Sequence, residues 1–141
     1  MTIKKGFERI TASIKEIPRI HYREGLESGF MDDYESAIES FDRVNYITIG
    51  SSFFTNQSQY FKANAYAQLE QYDKAVKEYK KFLENNQQNT KGWNNLGAAY
   101  CDLEKYDDAL PCFDNAIELE CQKKNPDEEI LEAAWANKGE A

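Results

Sequence analysis

Few side chains in this sequence could take part in catalysis. The chain has 141 residues and a single histidine, His21, so a general base would depend on this one imidazole. Asp107 and Asp108 could form an acid–base pair, but they fall in the predicted first turn of a helix, where acidic side chains stabilise the positive end of the helix dipole. The sequence contains no glycine-rich phosphate loop and no H-E-x-x-H or G-x-S-x-G motif. We therefore expect no catalytic residue and no enzymatic activity.

The three cysteines, Cys101, Cys112 and Cys121, lack the C-x-x-C spacing of a redox or zinc motif. Their odd number is not typical of a disulfide framework, and one histidine adds little to a metal site. We predict that they are small apolar side chains in a reducing compartment. No metal and no cofactor are expected. The apolar residues are interrupted by charges throughout, which favours a cytoplasmic location without a membrane span or signal peptide.

The net charge of the chain is −8 and its pI is about 4.7. A nucleic-acid-binding protein needs a basic surface for phosphate contacts, so this class is excluded as the expected function. The charge is unevenly distributed. Residues 1–20 contain five basic and two acidic side chains, a net charge of +3.

The spacing of aromatic and small residues predicts the elements that carry these side chains. Tyr72 and Tyr106 are 34 residues apart, which is the period of a helix–turn–helix repeat. Tyr34 opens a third copy of the pattern. Small residues recur where two helices would cross closely, and a bulky ring recurs four residues after the second small residue. The three aligned sets are Gly25, Ala37 and Phe41; Ala63, Ala75 and Tyr79; and Gly97, Ala109 and Phe113.

The segment from Trp93 to Tyr100, followed by Tyr106, Ala109, Phe113 and Ala116, resembles the signature of the tetratricopeptide repeat (TPR) family. The two upstream copies match it more weakly, and the resemblance covers nearly the whole chain. It implies an all-α fold in which antiparallel helix hairpins stack in a right-handed α-solenoid, a TPR-like superhelix.

This resemblance divides the chain into five predicted segments. They are an N-terminal capping helix or half repeat (1–17), repeat 1 (18–51) followed by a short insert (52–55), repeat 2 (56–89), repeat 3 (90–123), and a C-terminal helix (124–141) that is the start of a fourth repeat or a cap. The four additional residues between Tyr34 and Tyr72 are expected to lengthen a helix, with Phe53 and Phe54 at its start and packed inward. Asn125 is the predicted N-cap of the last helix, with Pro126 at its first position. We expect the chain to be a fragment of a longer array, or its last helix to be a cap.

In the TPR family the first helix of each repeat lines a concave groove that holds a partner. The corresponding residues here are the predicted peptide-binding site: Arg19, Tyr22, Arg23, Tyr60, Phe61, Asn64, Lys91, Asn94, Asn95 and Asn137. Asparagine side chains both donate and accept hydrogen bonds, as a peptide backbone requires. The carboxylate clamp of some TPR domains is not present, since Tyr60, Ala133 and Asn137 replace its Lys, Lys and Arg. An asparagine ladder is matched in part, by Asn95 and Asn137; the alternative is that these are solvated polar residues.

The expected function is therefore a protein–protein interaction scaffold that binds a peptide or protein segment in this groove. The arginines and Lys91 would favour an acidic or C-terminal segment. The alternative is a self-assembling structural module that oligomerises through its terminal helices. In that case two surfaces would contact another copy. One is Trp135, and the other is an apolar stripe on one face of the N-terminal helix, formed by Ile3, Phe7, Ile10, Ile14 and Ile17.

Overall fold

A computed structural model describes residues 3–46 and 52–141. Within these ranges the secondary structure is entirely α-helical, which confirms the predicted all-α fold. Residues 47–51, the end of predicted repeat 1, lie outside the described residues. The helices are α1 (Ile3–Phe30), α2 (Tyr34–Tyr46), α3 (Ser52–Gln68), α4 (Tyr72–Asn85), α5 (Thr90–Asp102), α6 (Tyr106–Cys121) and α7 (Glu128–Glu140).

Three of the connections between helices are the same turn. Each second helix, α2, α4 and α6, opens with the tyrosine that marks the sequence period, and the residue two positions before that tyrosine has a positive φ of 57–58°. The following residue donates its N–H to a carbonyl five residues earlier at 2.9 Å, the hydrogen bond of a Schellman motif. The positive-φ residues are Asp32, Glu70 and Glu104. The three sequence copies are therefore in the same phase.

The helices of a hairpin approach closely at the predicted small residues. In the α1–α2 pair, a Cβ built on Gly25 would lie 2.5 Å from the ring of Phe41. In the α5–α6 pair, a Cβ on Gly97 would lie 2.6 Å from the ring of Phe113. The second small residue of each copy, Ala37, Ala75 and Ala109, is completely buried. The recurring glycine–phenylalanine pair thus sets how closely the two helices of a hairpin can pack.

The chain divides into two compact units, Met1–Ala65 and Tyr66–Ala141. The first unit contains α1, α2 and most of α3, and its core is centred on Phe41, which stacks on Phe61 of α3 at 6.2 Å between ring centroids. The second unit contains the end of α3 and helices α4 to α7. There α5 packs against α4 and α6, and α7 packs against α6 and α5.

The last helix is joined to the second unit by an apolar cluster. Ala134 of α7 is buried against Ala116 and Ile117 of α6, and Trp93 and Leu131 pack against the same cluster. Trp135, the residue after Ala134 in α7, is 56% exposed.

The buried carboxylate of Glu120 fixes the loop before α7. Glu120 is 0% exposed; its Oε2 accepts a hydrogen bond from Lys123 Nζ and its Oε1 accepts one from the backbone N–H of Asp127, both at 2.6 Å. Thr90 also hydrogen-bonds this carboxylate. Burial alone would raise the pKa of Glu120, but the hydrogen bonds from Lys123, Asp127 and Thr90 outweigh it and lower the pKa below its usual value.

The prediction that Asn125 caps α7 is wrong. The helix begins at Glu128, and the N-cap is Asp127, whose carboxylate accepts the N–H of Ile130 at 3.3 Å. Asp127 has an extended backbone, with φ −82° and ψ 107°, and its own N–H is bound by Glu120. This tertiary contact, which the local sequence does not encode, sets where the helix starts.

The first helix also differs from the expected arrangement. The segments predicted on either side of Pro18 form one helix, α1, with Pro18 buried inside it. Proline removes one helical hydrogen bond, but its φ is compatible with a helix. The preceding residue, Ile17, is not one of the residue types that cap a new helix. The division into repeats stays a prediction.

The expected lengthening of a helix after residue 51 is confirmed. Helix α3 has 17 residues and the corresponding helix α5 has 13, and Phe53 and Phe54 lie in the first turn of α3. Phe54 packs inward, with its ring centroid 5.4 Å from that of Tyr22. Phe53 is 60% exposed, so the expectation that it also packs inward is wrong.

Candidate functional site

All ten predicted site residues lie on first helices. In the first unit, α1 carries Arg19, Tyr22 and Arg23, and α3 carries Tyr60, Phe61 and Asn64. In the second unit, α5 carries Lys91, Asn94 and Asn95, and α7 carries Asn137. The two sets have different chemistry, aromatic and basic in the first unit and mainly amide in the second.

The aromatic residues of the first unit form one cluster. The ring of Tyr22 lies 5.4 Å from Phe54 and 6.2 Å from Phe61, and Tyr60 meets Phe61 edge-on at 5.3 Å. We refer to Tyr22, Phe54, Tyr60 and Phe61 as the aromatic cluster; each of them is half-buried. Burial raises the pKa of the Tyr22 hydroxyl, which keeps the phenol neutral. These rings join α1 to α3 and also present an edge to solvent.

A cleft of about 470 Å³ opens beside the aromatic cluster. It brings together three of the predicted residues, Arg19, Tyr22 and Arg23, whereas Tyr60, Phe61 and Asn64 do not line it. Arg19 pairs with Glu16 at 3.5 Å and Arg23 with Glu27 at 3.6 Å, and both arginine side chains are 69% exposed. Such surface pairs contribute at most about 1 kcal/mol, so an incoming carboxylate could compete for either arginine. The remaining lining residues are Glu16, Ile20, Leu26 and Phe54.

In the second unit a hydrogen bond joins two of the predicted asparagines. Asn137 Nδ2 of α7 donates to Asn94 Oδ1 of α5 at 3.1 Å, and both side chains are partly buried. Asn95 is adjacent in the sequence, and Lys91 lies one turn earlier with its side chain exposed. We refer to Lys91, Asn94, Asn95 and Asn137 as the amide surface. The asparagine ladder, matched in part by Asn95 and Asn137, stays a prediction; the hydrogen bond described here joins Asn137 to Asn94.

A cavity in the second unit contains none of the predicted residues. It has a volume of about 740 Å³ and lies among α4, α5 and α6. Its walls are formed by Leu83, Trp93, Leu96, Tyr100, Pro111, Cys112 and Leu119, and its rim by Lys80, Glu84, Gln87, Asp108, Asn115, Glu118 and Gln122. Trp93, Leu96 and Tyr100 lie in the segment that resembles the TPR signature, and none of them was among the predicted site residues. Their spacing places them on one helical face, which is the signal that could have indicated the cavity.

The residues considered for catalysis have local structural contacts. His21 Nδ1 lies 2.8 Å from Glu24 Oε2 of the same helix, and Asp107 and Asp108 lie in the first turn of α6. Burial raises the pKa of the Cys112 thiol to about 11, and Cys101 and Cys121 are also free thiols. Across residues 3–46 and 52–141, no group of three or more His, Cys, Asp or Glu side chains is arranged to hold a metal ion. None of the helices described is long and apolar enough to span a bilayer.

These features define a protein built from repeated antiparallel helix hairpins with a left-handed residue in each turn. Models of the tetratricopeptide repeat match residues 57–89 and 90–120. The chain therefore contains tetratricopeptide repeats, which cover residues 57–120. No protein with a curated description matches it.

Solved structures with a similar fold are TPR domains of low sequence identity. The Sgt2 TPR domain from Aspergillus fumigatus is 20% identical with a TM-score of 0.72, and the match covers 87% of this chain and 78% of that one. The TPR2B domain in a complex of yeast Sti1 with pHsp70 is 17% identical with a TM-score of 0.74, over 88% of this chain and 98% of that one. The first TPR of Spaghetti (RPAP3), bound to the HSP90 peptide SRMEEVD, is 19% identical with a TM-score of 0.68, over 86% and 93%. At this identity the similarity establishes the fold alone.

Proposed function

We propose that this chain is a protein–protein interaction module that binds an extended protein segment on the first helices of its repeats, in the concave groove predicted for the family. The observation that carries the proposal is the 3.1 Å hydrogen bond between Asn137 and Asn94. It holds two amide groups from neighbouring first helices side by side, outside the apolar core.

The chemistry of this amide pair suits a peptide backbone. Each asparagine has an acceptor oxygen and two N–H donors, and their mutual bond occupies one donor of Asn137 and one lone pair of Asn94. An extended segment has backbone donors and acceptors that lose water on binding, so it gains from a partner that offers both. The bond also fixes the two rotamers, which reduces the entropy lost when a peptide is bound.

The expected ligand is an acidic or C-terminal segment. Lys91 stands exposed one turn from Asn94 and Asn95, and the arginine pairs of the first unit can exchange partners. Two of the similar structures hold a protein or peptide partner. The Sti1 domain is in a complex with pHsp70, and the RPAP3 domain is bound to the HSP90 peptide SRMEEVD, which contains two glutamates and an aspartate. Since the carboxylate clamp is not matched here, recognition would rest on backbone amide contacts and aromatic stacking.

The test is selection of a peptide ligand from a phage-displayed random library, followed by calorimetric titration of the selected peptide. The double variant Asn94→Ala/Asn137→Ala should weaken binding about thirtyfold, since two net hydrogen bonds contribute about 1 kcal/mol each. Its melting temperature should stay close to that of the wild type because both hydrogen-bonding partners are removed together. The matched control is Asn125→Ala, an exposed asparagine in the loop before α7. Unchanged affinity in the double variant would remove the amide surface from the proposal.

A second candidate function, self-association through the terminal helices, is supported by exposed apolar side chains. Ile3 and Ile10 of α1 are 93% and 61% exposed, and Trp135 of α7 is 56% exposed. Burying such residues against another molecule is favourable by about 25 cal/mol per Å² of apolar surface. Sedimentation over a concentration series tests this candidate, and a strict monomer would count against it.

A further inference from the structure

The cavity among α4, α5 and α6 has a lining that suits the apolar side of a helix. We refer to it as the α4–α6 groove. Its floor is formed by Leu83, Leu96 and Tyr100, which are almost completely buried, and Trp93, Pro111 and Leu119 continue the apolar walls. At about 740 Å³ it lies within the size range of pockets that hold a specific ligand.

The walls of the groove are held in place by contacts of their own. Trp93 Nε1 donates to the carbonyl of Gln87 at 2.7 Å, and the Trp93 ring also packs on the Ala116–Ile117–Ala134 cluster. On the rim, Lys80 lies over the Tyr100 ring, with Nζ 5.8 Å from the ring centroid. A preformed apolar surface of this kind loses little conformational entropy when an occupant binds.

The rim of the groove is acidic. Glu84, Asp108 and Glu118 all have exposed side chains, and Lys80 is the one basic residue among those lining the groove. An occupant should therefore combine an apolar stripe with basic side chains beside it.

The N-terminal half of α1 has this combination. Ile3, Ile10 and Ile17 recur every seven residues, and the sequence places Phe7 and Ile14 between them at alternating steps of four and three. This is the spacing of an apolar seam that packs against other helices. Ile3 and Ile10 are mainly exposed, and the adjacent Lys4 and Lys5 are exposed as well.

We propose that the α4–α6 groove of one copy receives the N-terminal half of α1 of a second copy, with the exposed Ile3 and Ile10 on the apolar floor and Lys4 and Lys5 against the acidic rim. This deepens the self-association candidate given above and rests on it. The two surfaces are different parts of the chain, so the contact is head-to-tail. Such contacts produce a ring if the rotation between copies closes and an open filament if it does not.

The apolar part of the contact is tested by sedimentation velocity of the full chain over a micromolar concentration series. The wild type should show a weight-average mass that rises with concentration. Ile10→Asp should remain monomeric over the same range, because a carboxylate would have to be buried in the groove. The matched control is Phe30→Asp, an 85% exposed residue at the other end of α1 and outside the stripe, which should associate like the wild type. A wild type that stays monomeric at every concentration, or equal loss in both variants, overturns the proposal.

The polar part is tested by exchanging charges. Glu84→Lys/Glu118→Lys should weaken self-association at least about tenfold, and so should Lys4→Glu/Lys5→Glu in a separate chain, since like charges then face each other. An equimolar mixture of the two variants should regain association, because the reversed rim then meets the reversed helix. Failure of the mixture to associate, or association of the rim variant alone at wild-type strength, overturns the proposal.

The two proposals fail separately. The rim variant Glu84→Lys/Glu118→Lys should bind the selected peptide as the wild type does, and Asn94→Ala/Asn137→Ala should self-associate as the wild type does. Peptide binding that survives Asn94→Ala/Asn137→Ala, while the rim variant loses self-association, would contradict only the proposed amide site. Self-association that survives Glu84→Lys/Glu118→Lys, while the asparagine variant loses peptide binding, would contradict only the groove.

Discussion

The close approach of α5 and α6 at Gly97 makes a sharp prediction about stability. A Cβ at this position would lie 2.6, 2.8 and 2.9 Å from three ring atoms of Phe113. Ordinary carbon–carbon contacts begin near 3.5 Å, so Gly97→Ala requires the ring or the helix to move by several tenths of an ångström. Phe113 is 0% exposed, and a ring enclosed on all sides cannot rotate away into solvent.

Two opposing effects determine the size of the change. Forcing an extra methyl group into a packed core costs about 1–3 kcal/mol. Replacing glycine by alanine inside a helix contributes about 1 kcal/mol of stability in return. Because the contact is with a rigid ring at three atoms, we expect the upper part of the cost range and a net destabilisation of about 1–2 kcal/mol. The melting temperature should fall by about 3–8 °C.

The measurement is thermal and urea unfolding of the Gly97→Ala variant followed by circular dichroism. Gly139→Ala is the matched control, since a Cβ on Gly139 meets nothing within 4 Å, and this variant should be as stable as the wild type or slightly more so. Adding Phe113→Leu to Gly97→Ala should cost less than Phe113→Leu alone in the wild type, because the ring that clashes is gone. A Gly97→Ala variant as stable as the Gly139→Ala control would refute the packing argument.

Three further predictions concern individual side chains. The lowered pKa of Glu120 means that its contribution to stability is complete above the usual carboxyl pKa and is lost as the pH falls through the lower folded value. Glu120→Gln should therefore lower the free energy of unfolding by about 1–3 kcal/mol near neutral pH. The urea midpoint of this variant should change less between neutral and acidic pH than that of the wild type, and an equal change in both proteins would contradict the prediction. Glu104, with a φ of 58°, should be replaceable by glycine with a gain of about 1 kcal/mol in the free energy of unfolding, measured in urea; a loss would show that its side chain stabilises the turn. Cys121, which is exposed, should react with a thiol reagent in the native protein at a rate at least tenfold above that of Cys112, whose pKa burial raises to about 11, as peptide mapping after a short pulse would show; equal rates would contradict the burial of Cys112.

The hairpin itself could be predicted from the sequence because its determinants are local and repeated. Gly97, Ala109 and Phe113 recur in phase with Gly25, Ala37 and Phe41, and each set describes one crossing of two helices. The structure confirms both crossings at the predicted residues. Repetition makes the prediction more reliable, because a chance match in one copy is not reproduced in the next.

The helix boundaries that the sequence did not predict depend on tertiary contacts. Asp127 caps α7 because its N–H is bound to the carboxylate of Glu120, seven residues earlier. Asn125 is a residue type that is favoured at N-caps, but the hydrogen bond from Glu120 is made to Asp127. The continuation of α1 through Pro18 likewise cannot be predicted from a rule that treats proline as a helix start.

The sequence predicted which helices carry the candidate site residues, but not which of these residues contact each other. All ten proposed residues lie on first helices, as the repeat period requires, yet the period does not specify which asparagine of α5 meets α7. Asn94 and Asn95 point about 100° apart around a helix axis, so a small rotation of α7 against α5 decides between them. In this structure Ala134 of α7 packs against Ala116 and Ile117 of α6, a contact that the repeat spacing does not specify.

Some residues of the repeat signature both pack between helices and line the α4–α6 groove. The groove could therefore not be predicted from their apolar character alone. Trp93, Leu96 and Tyr100 lie on one face of α5 and hold the hairpins together, so their apolar character is fully accounted for by packing. The same side chains also form the floor and wall of a cavity, because α4 and α6 do not completely cover them. The periodicity of apolar residues shows that one face of a helix is apolar, but it does not show what covers that face. The neighbouring helices determine how much of an apolar face is covered by its own chain. Here α4 and α6 leave part of the apolar face of α5 uncovered and surround it with acidic residues.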